Sequence, residues 1–435
     1  MKRIICIAGL FITLSLNTLA QNASGIRGVV IDNASGEVLP FASVSVLNSS
    51  PAKGALSDSL GHFYIGNLSV GRYDIQASFM GYGPKIFREI MVSSAKDAFL
   101  EISLSENATE LDEVVVRVRT NKEAALNKMA TAGARMFSVE EANRYAGGFD
   151  DPARLATSFA GVAGGMSSNS IAIRGNSPQF LQWKLEGIEI PNPSHYADMT
   201  GIGGGMLTAF SSQVLGNSDF FTGAFPAEYG NALSGVFDMW LRNGNTSNYE
   251  HTAQIGTLGV ELASEGPFKK GGQSSYLFNY RYSSMGLAND IAPGLFDEEL
   301  AMNYQDWSFK LNFPTRHAGT FSLWSIGTID SYGYKALSDT AQWKVAHDQE
   351  SNFTEQIMAS TGLEHKYFFN PNTYLKTSIA ATYTNSHIWG IWNNRDFTEQ
   401  KDLCDLQGSN TDIVFNTYLN KKFSARATPT APVSR

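Results

Sequence analysis

Few residues in this 435-residue chain sit at spacings that do chemistry. His195 and Asp198 stand three apart in PSHYADM, which suits two metal ligands, but no third ligand follows at a convincing interval, so no metal site is expected. Gly201, Gly203, Gly204 and Gly205 cluster in GIGGGM, without the lysine of a P-loop or the GxGxxG spacing, which argues against a nucleotide. Ser234 in ALSGV lacks the flanking glycines of a nucleophile elbow. His62 stands alone between Gly61 and Phe63 and reads as a turn or edge residue, while Asp32 and Asp58 fall where turns use Asx hydrogen bonds. The chain is therefore read as having no catalytic residues, no metal and no cofactor. What remains are charges and a strand placed where binding or coupling would use them. Arg174 ends the strand IAIR just before Gly175 and presents a guanidinium able to bond a carboxylate bidentately; Glu228 offers a carboxylate at the turn in AEYGN. Sequence alone also allows both to be solvated surface charges. Asp112 and Glu113 lead into Val114, Val115 and Val116, after which Arg117 and Arg119 turn the chain polar. Such a β-branched run is suited to joining another protein's sheet edge, with an ordinary strand or linker as the alternative.

The elements that must position these residues begin with an exported leader. Lys2 and Arg3 precede an apolar run over residues 4–19, and Thr18 and Ala20 are small residues at the positions a signal peptidase needs. Cys6 lies inside the run and not at the cleavage point, so lipidation is not expected, and Cys404 alone remains afterwards, which excludes an internal disulfide. The formal charge of -8 argues against a nucleic-acid binder. Charged residues at 17%, with 40 glycines, 27 phenylalanines and 17 tyrosines, suit a surface that faces lipid.

Six short strands are read near residues 26–31, 41–47, 62–65, 73–79, 86–92 and 99–104, separated by turn residues, which predicts a small β-sandwich. Ser138 and Glu141 form a capping-box pattern for a helix through Tyr145, and Asp151, Pro152 and Ala153 open another toward Phe159. After Asn245 a two-residue period dominates. Residues 255–262 read as one alternating run. In residues 275–282 Tyr276, Phe278, Tyr280 and Tyr282 share one face and Leu277, Asn279 and Arg281 the other. Further strands are read at 305–313, 319–326, 353–367 and 373–383, at near ten residues per strand, with a longer loop over 287–301, the pattern of a transmembrane barrel.

Particular runs carry a resemblance. GVVIDNASGEVLPFASVSVLNSS and SDSLGHFYIGNLSVGRYDIQASFMGYGP resemble the carboxypeptidase-regulatory-like (transthyretin-like) domain that precedes many outer-membrane transporters of the Bacteroidota, which implies a fold and no peptidase. NATELDEVVV looks like a TonB box. NRYAGGFDDPARLATSFAGV, NSIAIRGNSPQFLQWKLEGIEIPNPSHY and SDFFTGAFPAEYGNALSGVFDMWLRNGN resemble the plug of TonB-dependent receptors, and SYLFNYRYSSMGL with YQDWSFKLNFPTRHAGTFSLWSIG resembles their first barrel hairpins.

The resemblance implies a mainly β chain: signal peptide 1–20, β-sandwich 23–105, linker with the TonB-box-like segment 106–122, α+β plug 123–245, N-terminal part of a barrel 246–425 and a non-barrel tail 426–435. In the family the plug fills a 22-stranded barrel. It further implies an outer-membrane location, contact with outer-membrane lipid, and energy-coupled import of a scarce solute. The TonB C-terminal domain in the periplasm would engage Asp112, Glu113, Val114, Val115 and Val116, and Arg174 and Glu228 would lock plug to barrel. A surface lipoprotein as a further partner and the identity of the solute stay open. About 190 residues after the plug supply roughly six to eight strands, too few to enclose it. Residues 426–435 lose the alternation and bring in Pro429 and Pro432. A truncated receptor or a fragment is thus expected, with a binding module that does not transport as the competing reading.

Overall fold

The computed structural model describes residues 23–32, 37–47, 49–92, 97–104, 125–127, 129–130, 132–137, 151–165, 168–197, 203–256, 259–283, 300–315, 317–370 and 373–421. They belong to two compact units, Met1–Asn121 and Lys122–Arg435, in a mainly β chain. The leader, the segment 112–116, the helix read from Ser138, Asp198 and the tail 426–435 lie outside the described residues.

The first unit is a sandwich of β1 (Ala23–Asp32), β2 (Ser43–Val46), β3 (Gly54–Leu56), β4 (His62–Ser69), β5 (Gly71–Ser78), β6 (Lys85–Val92) and β7 (Ala98–Leu104). One sheet runs β4-β1-β7, with β7 parallel to β1; the other runs β3-β2-β5-β6. Inward positions alternate as the period-two pattern requires: Ile26, Val30, Val44, Val46, Phe63, Ile65, Ile75, Ala77, Ile102 and Leu104 close the core. At Gly28 a Cβ would meet the Leu100 carbonyl oxygen at 1.8 Å, so the parallel pairing of β1 with β7 depends on glycine there. The strand β3 was not among the six expected; three residues are too few to show an alternation. Asp58 fills its turn role, its Oδ1 accepting from Leu60 N at 2.8 Å and His62 N at 2.9 Å, and His62 begins the edge strand β4. Asp32 accepts from the Tyr82 hydroxyl at 2.8 Å, and the turn residues 33–36 that follow it lie outside the described residues.

The second unit has an inner domain and an outer sheet. The inner domain comprises β8 (Ala134–Phe137), α1 (Pro152–Leu155), β9 (Val162–Gly165), β10 (Ser168–Ile173), β11 (Leu181–Leu185), β12 (Ile188–Ile190), β13 (Ser194–His195), β14 (Leu207–Thr208), β15 (Ser218–Phe221) and β16 (Gly235–Met239). Five of these form a mixed sheet in the order β12-β11-β16-β15-β8, whose central strands are buried throughout. Among their apolar residues these strands carry the buried polar side chains Gln182, Lys184, Asp219 and Asp238. Asp151 caps α1, accepting from Ala153 N at 3.0 Å, with Pro152 in the first turn where its missing N–H costs nothing.

The outer sheet is an antiparallel meander of β17 (Glu250–Ile255), β18 (Gly259–Pro267), β19 (Ser275–Ser283), β20 (Leu300–Pro314), β21 (Thr320–Tyr334), β22 (Glu350–Asn370), β23 (Thr373–Asn393) and β24 (Gln400–Lys421). Two corrections follow. From β20 onward the strands are 15 to 22 residues long, well beyond the ten expected. The run 255–262 is not one strand: β17 ends at Ile255 and β18 starts at Gly259, with Gly256 N donating to the Gly259 carbonyl at 2.9 Å to close the turn.

The sheet is two-faced. Lys310, Trp324, Gly362, Ala380 and Val414 are cross-strand neighbours on one row, and Trp324 and Ala380 share a core with inner-domain residues such as Trp183 and Phe237. One residue along, Leu311, Leu323, Leu363, Ile379 and Phe415 form a row on the opposite face, where Leu363, Ile379 and Phe415 are exposed. Among the described residues the sheet is open, with β17 and β24 as its edges, and no helix is long and apolar enough to cross a membrane.

Candidate functional site

The inner domain meets the outer sheet through buried charge. His195, at the end of β13, is wholly enclosed. Its Nε2 lies 2.7 Å from Asp306 Oδ2 on β20 and its Nδ1 2.5 Å from Asp330 Oδ1 on β21. Tyr196 N adds a bond to Asp330 Oδ2 at 3.2 Å, and the Tyr304 ring lies 4.3 Å from the imidazole. Arg281 on β19 sets its Nε 3.0 Å from both oxygens of Asp306 and donates through Nη2 to the Thr208 carbonyl at 2.5 Å. Thr208 in turn donates from its hydroxyl to Asp151 at 2.7 Å, tying this network to the cap of α1. Burial alone would strip the proton from His195, but Asp330 and Asp306 outweigh it and hold the pKa up at about 9. The His195 imidazolium and the Arg281 guanidinium therefore face the carboxylates of Asp306 and Asp330 inside a medium where a lone charge would be costly.

Two further pairs cross the same interface. Arg242, just after β16, grips Glu265 of β18 bidentately at 2.6 and 2.7 Å. Lys310 of β20 donates to Glu186 Oε1 at 2.8 Å and to the Leu241 carbonyl at 2.9 Å, while Leu241 N donates to the same carboxylate at 2.8 Å. The backbone of Glu186 is left-handed, φ 54°, which turns its side chain out of the β11–β12 hairpin toward the sheet. Within the inner domain, Asp219 and Asp238 are cross-strand neighbours on β15 and β16. Burial pushes Asp219 up to about 7, against the lowering effect of bonds from Leu126 N and Asn127 N; burial raises Asp238 too.

Arg174 and Glu228, the residues expected to lock plug to barrel, sit at turns of the inner domain. Both side chains are exposed. Arg174 turns the chain after β10 at φ 51°, its N donating to the Gly161 carbonyl at 2.8 Å; Glu228 accepts from Asn127 Nδ2 at 2.5 Å. Among the described residues the buried pairs run through His195, Glu186 and Arg242. These three partners were missed as a set, although the signal existed: Arg281, Asp306 and Lys310 are charges in the inward register of strands whose other face is aromatic. Among the described residues no group of three or more His, Cys, Asp or Glu side chains could hold a metal ion.

Comparison with known proteins gives one family match: residues 26–116 fit the CarboxypepD_reg-like domain. No curated protein matches the chain. Among solved structures, the siderophore receptor PirA from Acinetobacter baumannii is 16% identical, with 67% of this chain and 46% of that one covered at a TM-score of 0.44. The pyoverdine outer membrane receptor FpvA from Pseudomonas aeruginosa PAO1 is 12% identical, with 61% and 40% covered at 0.43. A cohesin–X-dockerin complex from Acetivibrio cellulolyticus is 18% identical over 19% of this chain and 58% of that one, at 0.17. The chain thus spans less than half the length of these two receptors. Its first unit contains a CarboxypepD_reg-like domain, and its second is a mixed inner sheet bound by buried ion pairs to one face of an eight-stranded antiparallel sheet.

Proposed function

We propose that this protein is a TonB-dependent outer-membrane receptor that imports a scarce solute with energy coupled from the inner membrane. The observation that carries the reading is His195 fixed between Asp306 and Asp330, one inner residue bonded to two outer strands. A domain meant to stay put could be packed by apolar contacts alone, which offer no discrete release. Buried pairs of charges, by contrast, hold firmly when dry and lose much of their strength once water enters. That combination suits a plug that must be dislodged and then reseated. The apolar outward row across β20–β24 fits a lipid-facing wall.

In this reading Asp112, Glu113, Val114, Val115 and Val116 pair as a strand with the TonB C-terminal domain in the periplasm, and the solute binds at the opposite end of the inner domain. No bond in the solute is broken, so no catalytic residue is invoked. The test is a titration of the TonB C-terminal domain against the full chain and against a chain lacking residues 112–116. Saturable binding lost on deletion is expected; equal binding by both chains would overturn the coupling role.

A further inference from the structure

Among the described residues that follow 112–116 in the chain, the first ones are held in a clamp. Leu126 lies ten positions after Val116 and eight before Ala134, the first residue of β8. Its N–H donates to Asp219 Oδ1 at 2.8 Å, and the next N–H, of Asn127, donates to Asp219 Oδ2 at 2.7 Å. One carboxylate therefore holds two consecutive backbone amides, one on each oxygen, so that each N–H has an acceptor atom of its own. Asp219 is 2% exposed and sits in the middle of β15, so the clamp is anchored in the buried centre of the inner sheet.

The Asn127 side chain doubles the grip. Its Nδ2 donates to Glu228 Oε1 at 2.5 Å and to the Tyr229 hydroxyl at 2.9 Å, and that hydroxyl donates to Asp238 Oδ2 at 2.8 Å. Beyond the clamp comes β8, four residues long and, among the described residues, the edge strand of the inner sheet, paired with β15. The order along the chain is thus clamp, short edge strand, then the body of the sheet with its ion pairs to the outer wall.

We propose that Asp219 is a mechanical latch: its carboxylate holds Leu126 and Asn127 so that tension arriving from residues 112–116 must open this clamp before it can peel β8 from β15. The proposal rests on the coupling reading above, and it gives Glu228 a role other than bonding the wall: it steadies the clamped asparagine. A latch set ahead of a weak edge strand makes opening all-or-none, because thermal fraying of four residues is blocked until the clamp yields.

Single-molecule pulling tests this on the full chain, held by a C-terminal tag in detergent and drawn through a cysteine at Asn121 (Asn121→Cys) in a Cys6→Ser, Cys404→Ser background. The first wild-type rupture is expected to lengthen the tether by on the order of 40 Å, the span of residues 126–137. In Asp219→Ala that rupture should fall to half the wild-type force or less, with Asp219→Asn between; Asn127→Ala, which keeps both clamped N–H groups, should lower it less. Unchanged force in Asp219→Ala, with the later ruptures intact, overturns the latch. Should Asp219→Ala lose the later ruptures and so prove misfolded, Asp219→Asn decides, because its NH2 faces one of the two clamped N–H groups, and wild-type force there overturns the latch equally. The TonB titration reads the coupling segment alone, so its failure would leave these forces unchanged and the two ideas can fall separately.

Discussion

His195 shows how one residue can acquire its property entirely from neighbours remote in sequence. Asp306 and Asp330 lie 111 and 135 positions away, and without them burial would leave the imidazole neutral. Its pKa is raised from 6.5 to about 9, so the bonded state contributes fully below pH 6.5 and is lost as pH rises through about 9. A shift of that size corresponds to about 3 kcal/mol. Amide exchange over residues 194–208, corrected for its intrinsic pH dependence, should accelerate between pH 7 and 9.5 in the wild type. In His195→Gln it should be fast already at pH 7 and flat thereafter. Wild-type exchange as flat as that of the variant would remove the charged imidazole from the account. In the sequence His195 pairs with Asp198 as a metal pattern, because adjacency in the chain is all that spacing displays. Its real partners become visible only when strands fix which side chains face inward. Arg174 and Glu228 illustrate the converse: a strand end and a turn were legible, whereas exposure depends on what the rest of the fold covers.

At the scale of elements, alternation was readable wherever one face carries aromatics, as in β19, since period two is a local property of the backbone. Strand ends were not readable, because hydrogen bonding continues past the point where alternation fades. β24 escaped notice for that reason: Asp402, Asp405, Asp412 and several asparagines interrupt its apolar positions, yet it pairs with β23 for nearly its whole length. Nor does sequence announce how two inward rows fit together. Trp324 lies flat over Gly362, where an added Cβ would stand 2.4 Å from Trp324 Cζ2. Gly362→Val should therefore destabilise the β21–β22 pairing by about 1–3 kcal/mol, the usual cost of overpacking. Trp324→Leu in the same chain should recover part of that loss by vacating the space. Denaturant midpoints of the two single variants and the double variant check this; strict additivity would mean that the glycine is not there for the tryptophan.

For the whole molecule, the question is what medium the outward face of the large sheet meets. The row of Leu311, Leu323, Leu363, Ile379 and Phe415 crosses five strands without a charge, while charged partners such as Lys310 are turned inward. A sheet bathed in water would reverse this preference, keeping charge outside where hydration is free. Ile379, 46% exposed, separates the two cases. If the row faces lipid, Ile379→Arg should oppose insertion by about 2–4 kcal/mol near the middle of the bilayer, cutting the folded yield in phosphatidylcholine vesicles by at least tenfold. Phe41→Arg, on an exposed loop of the first unit, serves as the control and should leave the yield unchanged. If the row faces water, Ile379→Arg should cost almost nothing and should improve solubility, because it replaces an exposed apolar side chain by a hydrated one. Equal vesicle yields for Ile379→Arg and wild type would thus exclude a membrane wall while leaving intact the ion pairs that join the two sheets, since Ile379 and Lys310 point to opposite faces.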